Sequence, residues 1–134
     1  MLKNARAQAA LPAQDLSRAK AFYREKLGLQ PFEEDANNAR YQLGDGTQFN
    51  VFRTGGAPSG THTQMAFLVE DLAAEVRDLK SRGVKFEEYD FPGLKTVDSI
   101  AEAEDGSKAA WFVDSEGNML GIIQPVRVAA GRTT

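Results

Sequence analysis

Hydrophobic positions along the chain follow two periods, which alternate in the same order in each half. In QDLSRAKAFYREKLGLQ, apolar residues recur at helical spacing, with Asp15 as a candidate N-cap and Gly28 as the end. EDLAAEVRDLKSRGVKFEEYD repeats this arrangement between Asp71 and Gly83 and then predicts a short strand from Val84. The pattern therefore predicts two helices with one apolar face each.

Stretches with a period of two flank both predicted helices. ARAQAALPA and THTQMAFLV precede them, RYQL and TQFNVF follow the first, and KFEEYDF, KAAWFV and MLGIIQ follow the second. Each half therefore predicts a βαβββ unit, so the fold class is α+β within a single domain. We expect unit 1 at about residues 4–53, a Gly-, Pro- and Ser-rich connector at 54–61, unit 2 at about 62–126 and a tail at 127–134.

Composition narrows the possible partners. The chain has 134 residues, of which 42% are hydrophobic, and its net charge is −3, as expected for a folded soluble protein that does not bind nucleic acid. It has no cysteine, which excludes disulfides and thiolate metal sites. The apolar runs are too short for a signal peptide or a membrane span, so we expect a cytoplasmic protein without a membrane partner.

The duplicated unit, together with DL…AFYREKLGL in the first half and DSEGN before the last strand, resembles the vicinal oxygen chelate superfamily. That superfamily includes glyoxalase I, extradiol dioxygenases, fosfomycin-modifying enzymes and bleomycin-type antibiotic-binding proteins. The resemblance covers nearly the whole chain and implies two curved mixed sheets around a concave pocket. It does not choose a reaction, because one fold hosts many functions and the site decides among them.

The resemblance also implies where metal ligands would lie. In metal-dependent members they come from the first and last strands of each unit, at positions that correspond to Gln8, Asn50, Gln64 and Gly121. Neutral amides are weak ligands for zinc, iron or nickel, and glycine offers no side chain. We therefore predict no metal and no other cofactor.

Strand alternation places further candidate ligand contacts on the same face. The predicted ligand-binding residues are Gln8, Asn50, Phe52, His62, Gln64, Tyr89, Phe91, Trp111 and Gly121. Several of these residues allow two interpretations. Tyr89 and Phe91 belong either to a lid over the pocket or to the core, and Trp111 either packs in the core or stacks on a ligand. Likewise, His62 contacts backbone or a ligand, and Gly121 makes room for a flat ligand or marks a bend in the strand.

These observations favour a metal-independent, homodimeric protein that binds a small uncharged or aromatic organic molecule, similar to the antibiotic-sequestering members of the superfamily. No catalytic residue is predicted. The alternative is an enzyme similar to glyoxalase I, a related lyase or a dioxygenase, which would use a metal or else His62 without a metal. A third possibility is a regulator without a small ligand. Pro12 supports the dimer, because it lies where the first strand could turn away from its own domain.

Overall fold

A computed structural model describes residues 1–126, so the predicted tail at 127–134 lies outside the described residues. The first half contains β1 (Ala9–Ala13), α1 (Leu16–Leu27), β2 (Glu33–Glu34), β3 (Asn38–Gln42) and β4 (Gln48–Arg53). The second half contains β5 (Thr63–Leu68), α2 (Leu72–Ser81), β6 (Asp90–Phe91), β7 (Leu94–Val97), β8 (Ile100–Glu102), β9 (Lys108–Val113) and β10 (Met119–Gln124). Within residues 1–126, neither helix is long and apolar enough to cross a bilayer.

Both helices begin as the sequence predicts. The Asp15 carboxylate accepts a hydrogen bond from the Arg18 amide at 3.0 Å, and Asp71 caps α2 through the Ala74 amide at 3.1 Å. These contacts satisfy amide groups that have no partner inside the helix. α1 ends at Gly28, whose φ of 70° is a left-handed conformation that glycine adopts without strain.

The strands form two mixed sheets and confirm the α+β fold class. The first sheet has the order β1-β4-β3-β2, with β1 parallel to β4, and the second has the order β5-β10-β9-β8-β7-β6, with β5 parallel to β10. β1 and β5 are thus edge strands. β1 pairs with β4 of its own chain through Pro12 as far as Ala13, so within a single chain the strand does not turn away at the proline.

One apolar core joins the two halves. Tyr41 stacks on Phe49 at a ring-centroid distance of 4.9 Å, and Tyr23 of α1 packs against both. Phe49 also meets Phe67 of β5 edge to face at 6.2 Å, which brings the second half into contact with this cluster.

A buried polar joint fixes the turn between β9 and β10 against the first half. Asp114 accepts a hydrogen bond from the Tyr23 hydroxyl at 2.7 Å and another from the Asn118 side chain at 2.9 Å. The Asn118 amide group also donates to the Pro12 carbonyl at 3.0 Å. Burial raises the pKa of the Tyr23 phenol well above its usual range, and the neighbouring Asp114 charge adds to this effect. The phenol therefore remains a hydrogen-bond donor at neutral pH.

Glu116 extends the joint with an ion pair. Its carboxylate, whose side chain is only 1% exposed, contacts Arg18 Nε at 2.8 Å and accepts from the Asp15 amide at 3.0 Å. Burial opposes the charged form, but the hydrogen bonds from Arg18, Asp15 and Ser115 outweigh it and lower the pKa of Glu116. The DSEGN motif thus holds the two halves together.

The predicted strand from Val84 through KFEEYDF is wrong over most of its length. Only Phe86 forms an isolated bridge, with Phe112, and the next strand is the short β6. The segment instead folds over the β7–β8 hairpin, because the Glu88 carboxylate accepts hydrogen bonds from the Thr96 hydroxyl at 2.6 Å and the Ser99 hydroxyl at 2.8 Å. The β6–β7 pairing is an addition to the simple βαβββ plan.

Candidate ligand-binding site

The face of the first sheet that points away from the core is rich in amides. Asn50 of β4 accepts a hydrogen bond from the Gln8 side chain at 3.3 Å and donates one to Asn38 Oδ1 at 2.8 Å. Phe52 follows on the same face and is half-buried. The predicted contacts Gln8, Asn50 and Phe52 are therefore neighbours. Asn38 was not among the predicted contacts, although the alternation in β3 between buried Ala39 and its neighbours indicates that it lies on this face.

The corresponding face of the second sheet carries an aromatic cluster. The ring of Tyr89 lies 5.6 Å from Trp111, nearly perpendicular to it, and 5.7 Å from Phe91. The Tyr89 hydroxyl also approaches the Met119 sulfur at 3.8 Å. Tyr89, Trp111 and Met119 are partly exposed, and Phe91 is 58% exposed. We call Tyr89, Phe91, Trp111 and Met119 the aromatic shelf.

Burial raises the pKa of the Tyr89 phenol, and the nearby Glu87 charge acts in the same direction. The hydroxyl therefore stays protonated at neutral pH and can donate a hydrogen bond. The shelf thus combines apolar ring surfaces with one polar group at its edge.

Gly121 of β10 lies beneath the shelf. It is the cross-strand partner of Trp111, and a β-carbon at this position would lie 3.4 Å from Trp111 Cδ1 and 3.4 Å from Thr63 Cγ2. The tryptophan side chain packs over the glycine backbone, as aromatic residues do across from glycine in other sheets. The space above Gly121 is thus occupied at least in part by Trp111 of the same chain, an arrangement that neither sequence interpretation included.

Gln64 sits at an irregularity in β5. Met119 opposes Thr63 whereas the next residue, Leu120, opposes Met65, so Gln64 has no partner residue on β10. Its Oε1 atom is buried and has no hydrogen-bond partner among the described residues. His62 precedes the strand, is exposed, and places Nδ1 3.2 Å from the Ser59 hydroxyl.

The predicted site residues therefore form two groups on different sheets. Gln8, Asn50 and Phe52 lie on the first sheet, while Tyr89, Phe91, Trp111 and Gly121 lie together on the second. Gln64 is at the edge of the second sheet, and His62 is in the connection that leads into it. Within residues 1–126, no side-chain hydrogen bond or ring contact links one group to the other.

The residues at the implied metal positions do not fit a transition-metal centre. Asn50 and Gln8 are hydrogen-bonded to each other, Gly121 has no side chain, and only Gln64 offers a buried oxygen without a partner. Among the described residues, no group of three or more His, Cys, Asp or Glu side chains converges in a way that could hold an ion. Such metals are held by imidazole, thiolate and carboxylate, and this set contains none of them.

Comparison with known proteins agrees with this architecture. A sequence model of the Glyoxalase/Bleomycin resistance protein/Dioxygenase superfamily matches residues 6–122, and the chain belongs to that superfamily. No curated protein matches the sequence.

Several solved structures superimpose on the chain. A bleomycin-binding protein solved with bleomycin is 27% identical, with a TM-score of 0.69 over 92% of this chain and 100% of its own. A bleomycin resistance determinant encoded on the transposon Tn5 is 26% identical, with a TM-score of 0.66 over 92% of this chain and 100% of its own. A fosfomycin resistance protein from Listeria monocytogenes, solved as a mutant with Mn(II), shares the fold alone at 12% identity, with a TM-score of 0.68 over 92% and 91% of the two chains.

Proposed function

We propose that this protein binds a small aromatic organic molecule without a metal ion and sequesters it in the cytoplasm. The observation that carries the proposal is the aromatic shelf, where Tyr89 and Trp111 present ring surfaces on an open sheet face. Partly exposed aromatic rings provide a large stacking area for a flat ligand at low conformational cost. No step of this function requires a metal or a nucleophile.

Antibiotics are the ligand class that the relatives favour. Two structures above 25% identity, matched over their full length, are a bleomycin-binding protein and a bleomycin resistance determinant. The shelf differs from a purely apolar surface because the Tyr89 hydroxyl can donate a hydrogen bond. This suits an antibiotic with planar rings and polar substituents, and sequestration would then protect the cell.

A homodimer is part of the proposal. The amide group around Asn50 and the aromatic shelf lie on different sheets of one chain. In the proposed dimer, the amide group of one copy lies opposite the aromatic shelf of its partner. Val97 is 65% exposed, which leaves apolar surface on the second sheet that a partner copy would cover. A binding site formed between copies would have one aromatic wall and one amide wall.

Trp111 is the only tryptophan, so its fluorescence tests the proposal directly. Polycyclic and glycopeptide antibiotics, bleomycin included, are titrated into the protein while emission is followed. We expect at least one compound to change the emission saturably, and Tyr89→Ala to weaken its binding about tenfold.

Phe32→Ala is the matched control, because it removes a ring that is 50% exposed in the first half of the chain. Its affinity should equal that of the original protein. Equal losses in the Tyr89 and Phe32 variants, or no saturable change with any compound, would contradict binding at the shelf.

The alternative class, a metal-dependent enzyme, is favoured by one observation. The buried Oε1 atom of Gln64 lacks a partner among the described residues, and it lies at a position where the superfamily resemblance implies a ligand. Metal analysis of protein purified without chelators separates the two classes. A stoichiometric transition metal that is lost in Gln64→Ala would support the enzyme, and a metal content near zero supports the binding protein.

A further inference from the structure

A groove runs between the two halves of the chain, away from the aromatic shelf. It encloses about 550 Å³, which lies within the range of roughly 300–1,000 Å³ typical of ligand sites. One wall includes Leu27, Leu29 and Leu43 from the first half. The other includes Phe67 of β5 and Leu79 of α2. Both walls are therefore apolar.

The floor of the groove contains an open strand edge. Among the described residues, β5 pairs only with β10, and the Val69 amide donates to the Ile123 carbonyl at 2.9 Å. Peptide groups alternate in direction along a strand, so Phe67 also faces β10, whereas the N–H and C=O groups of Ala66 and Leu68 face outward. Ala66 and Leu68 both line the groove. An edge of this kind is a template for pairing with another strand.

Charge restricts what could fill the groove. Among residues 1–126, the charged residues that line the groove are Asp45, in the β3–β4 turn, and Glu75, on α2, so each wall carries one carboxylate. Both residues are exposed, and neither takes part in an ion pair within the described residues. A ligand with basic groups would complement both walls.

We propose that this groove is a docking site for an extended basic peptide segment of a partner protein, which adds to β5 as a further strand. The backbone of the peptide pairs with Ala66 and Leu68. Its apolar side chains contact Phe67 and the leucines of the groove, and its Lys or Arg residues approach Asp45 and Glu75. Backbone pairing supplies affinity in this mode, and the flanking pockets supply specificity.

The probe is a blocked pentapeptide, acetyl-Lys-Val-Thr-Val-Lys-amide, titrated into the 15N-labelled protein and followed by NMR. Two control peptides carry N-methyl groups on either the odd or the even residues. Because only alternate N–H groups of an added strand face β5, one control should bind at least about tenfold more weakly and the other should bind normally. Amide shifts should centre on residues 66–69.

Charge neutralisation provides a second, independent measurement. Asp45→Asn combined with Glu75→Gln should weaken binding of the pentapeptide by about threefold to tenfold. Glu102→Gln combined with Glu104→Gln removes the same charge outside the groove and should leave the affinity unchanged.

Three results would overturn the proposal. The first is that both N-methylated peptides bind as well as the parent, which would indicate apolar contact without strand pairing. The second is an absence of shifts at residues 66–69 at millimolar peptide. The third is a second copy of the chain that covers β5 in solution, seen as a dimer by sedimentation that excludes the peptide and dissociates in Ala66→Pro.

Discussion

The two sheets share a strand order in their central parts but differ in the face that they turn away from the core. In the first sheet this face is held by amide-to-amide hydrogen bonds centred on Asn50. In the second sheet the same face carries rings that pack over a glycine, with Trp111 above Gly121. The two halves therefore share a backbone arrangement but have different open surfaces. Side chains alternate between the two faces of a strand, so every second residue points away from the core and is not constrained by core packing.

The implied metal positions therefore have different surroundings in the two sheets. Asn50 is hydrogen-bonded to the side chains of Gln8 and Asn38, whereas the Trp111 ring of the neighbouring strand β9 packs over Gly121.

Placing a glutamate on the open face of each sheet tests whether the two faces differ in packing. Gly121→Glu should lower the free energy of unfolding by about 3 kcal/mol, because its side chain meets Trp111 and Thr63 and buries a carboxylate without a partner. Asn50→Glu, on the amide face, should cost less than about 1 kcal/mol. Urea unfolding at pH 7 measures both changes.

The penalty at Gly121 should depend on pH. Burial raises the pKa of the introduced carboxyl above its unfolded value of about 4.3, so the neutral form is favoured in the folded protein. The defect should be smallest below pH 4.3 and grow as pH rises through the raised folded pKa. A variant as stable as the original protein, with unchanged ligand affinity, would show that Trp111 does not depend on the glycine.

The polar joint connects the two halves of the chain and lies away from the open faces of the sheets. Glu116→Gln should cost about 2 kcal/mol at neutral pH by weakening the contacts to Arg18 and to the Asp15 amide. The shelf should keep its ligand affinity. Thermal unfolding across pH 3–7 checks the first expectation, and Trp111 fluorescence checks the second.

The sign of the pH effect follows from the lowered pKa of Glu116. Its stabilising contribution is present above the ordinary value of 4.5 and is lost as pH falls through the lower folded value. The difference between the original protein and Glu116→Gln should therefore narrow in acid. A constant difference down to pH 3 would contradict a role for the charge.

The smallest expected effect concerns a hairpin that only the second sheet has. Asp98 and Ser99, which connect β7 to β8, have φ values of 51° and 76°. Asparagine tolerates a positive φ better than aspartate does, so Asp98→Asn should raise the free energy of unfolding by a few tenths of a kcal/mol. Denaturant unfolding with replicate curves resolves the change, and a loss of stability would contradict the conformational argument.

Local signals were enough to predict the helices and their caps. Asp15 and Asp71 bond to amides three residues away, so a short stretch of sequence contains the whole interaction. The turn at Asp98 and Ser99 lacked such a signal. It has no glycine, and its conformation is supported by Glu88, eleven residues from Ser99 in sequence.

The candidate site was only partly predictable, because some of its contacts join residues that are distant in sequence. Alternation placed Asn50 and Gly121 on open faces, but the ring that covers Gly121 comes from the neighbouring strand and depends on pairing register. The predicted units already placed the two groups of contacts in different sheets. Periodicity could not show whether side chains of the two groups meet, because that depends on how the two halves pack.

The most direct test of the central claim is a calorimetric titration of chelator-treated protein. The ligand is the antibiotic that changes Trp111 fluorescence most, and the buffer contains the chelator throughout. We expect saturable binding with the same Kd as untreated protein, because the aromatic shelf and not a metal ion holds the ligand. Binding that disappears after chelator treatment and returns when a transition metal is restored would contradict it.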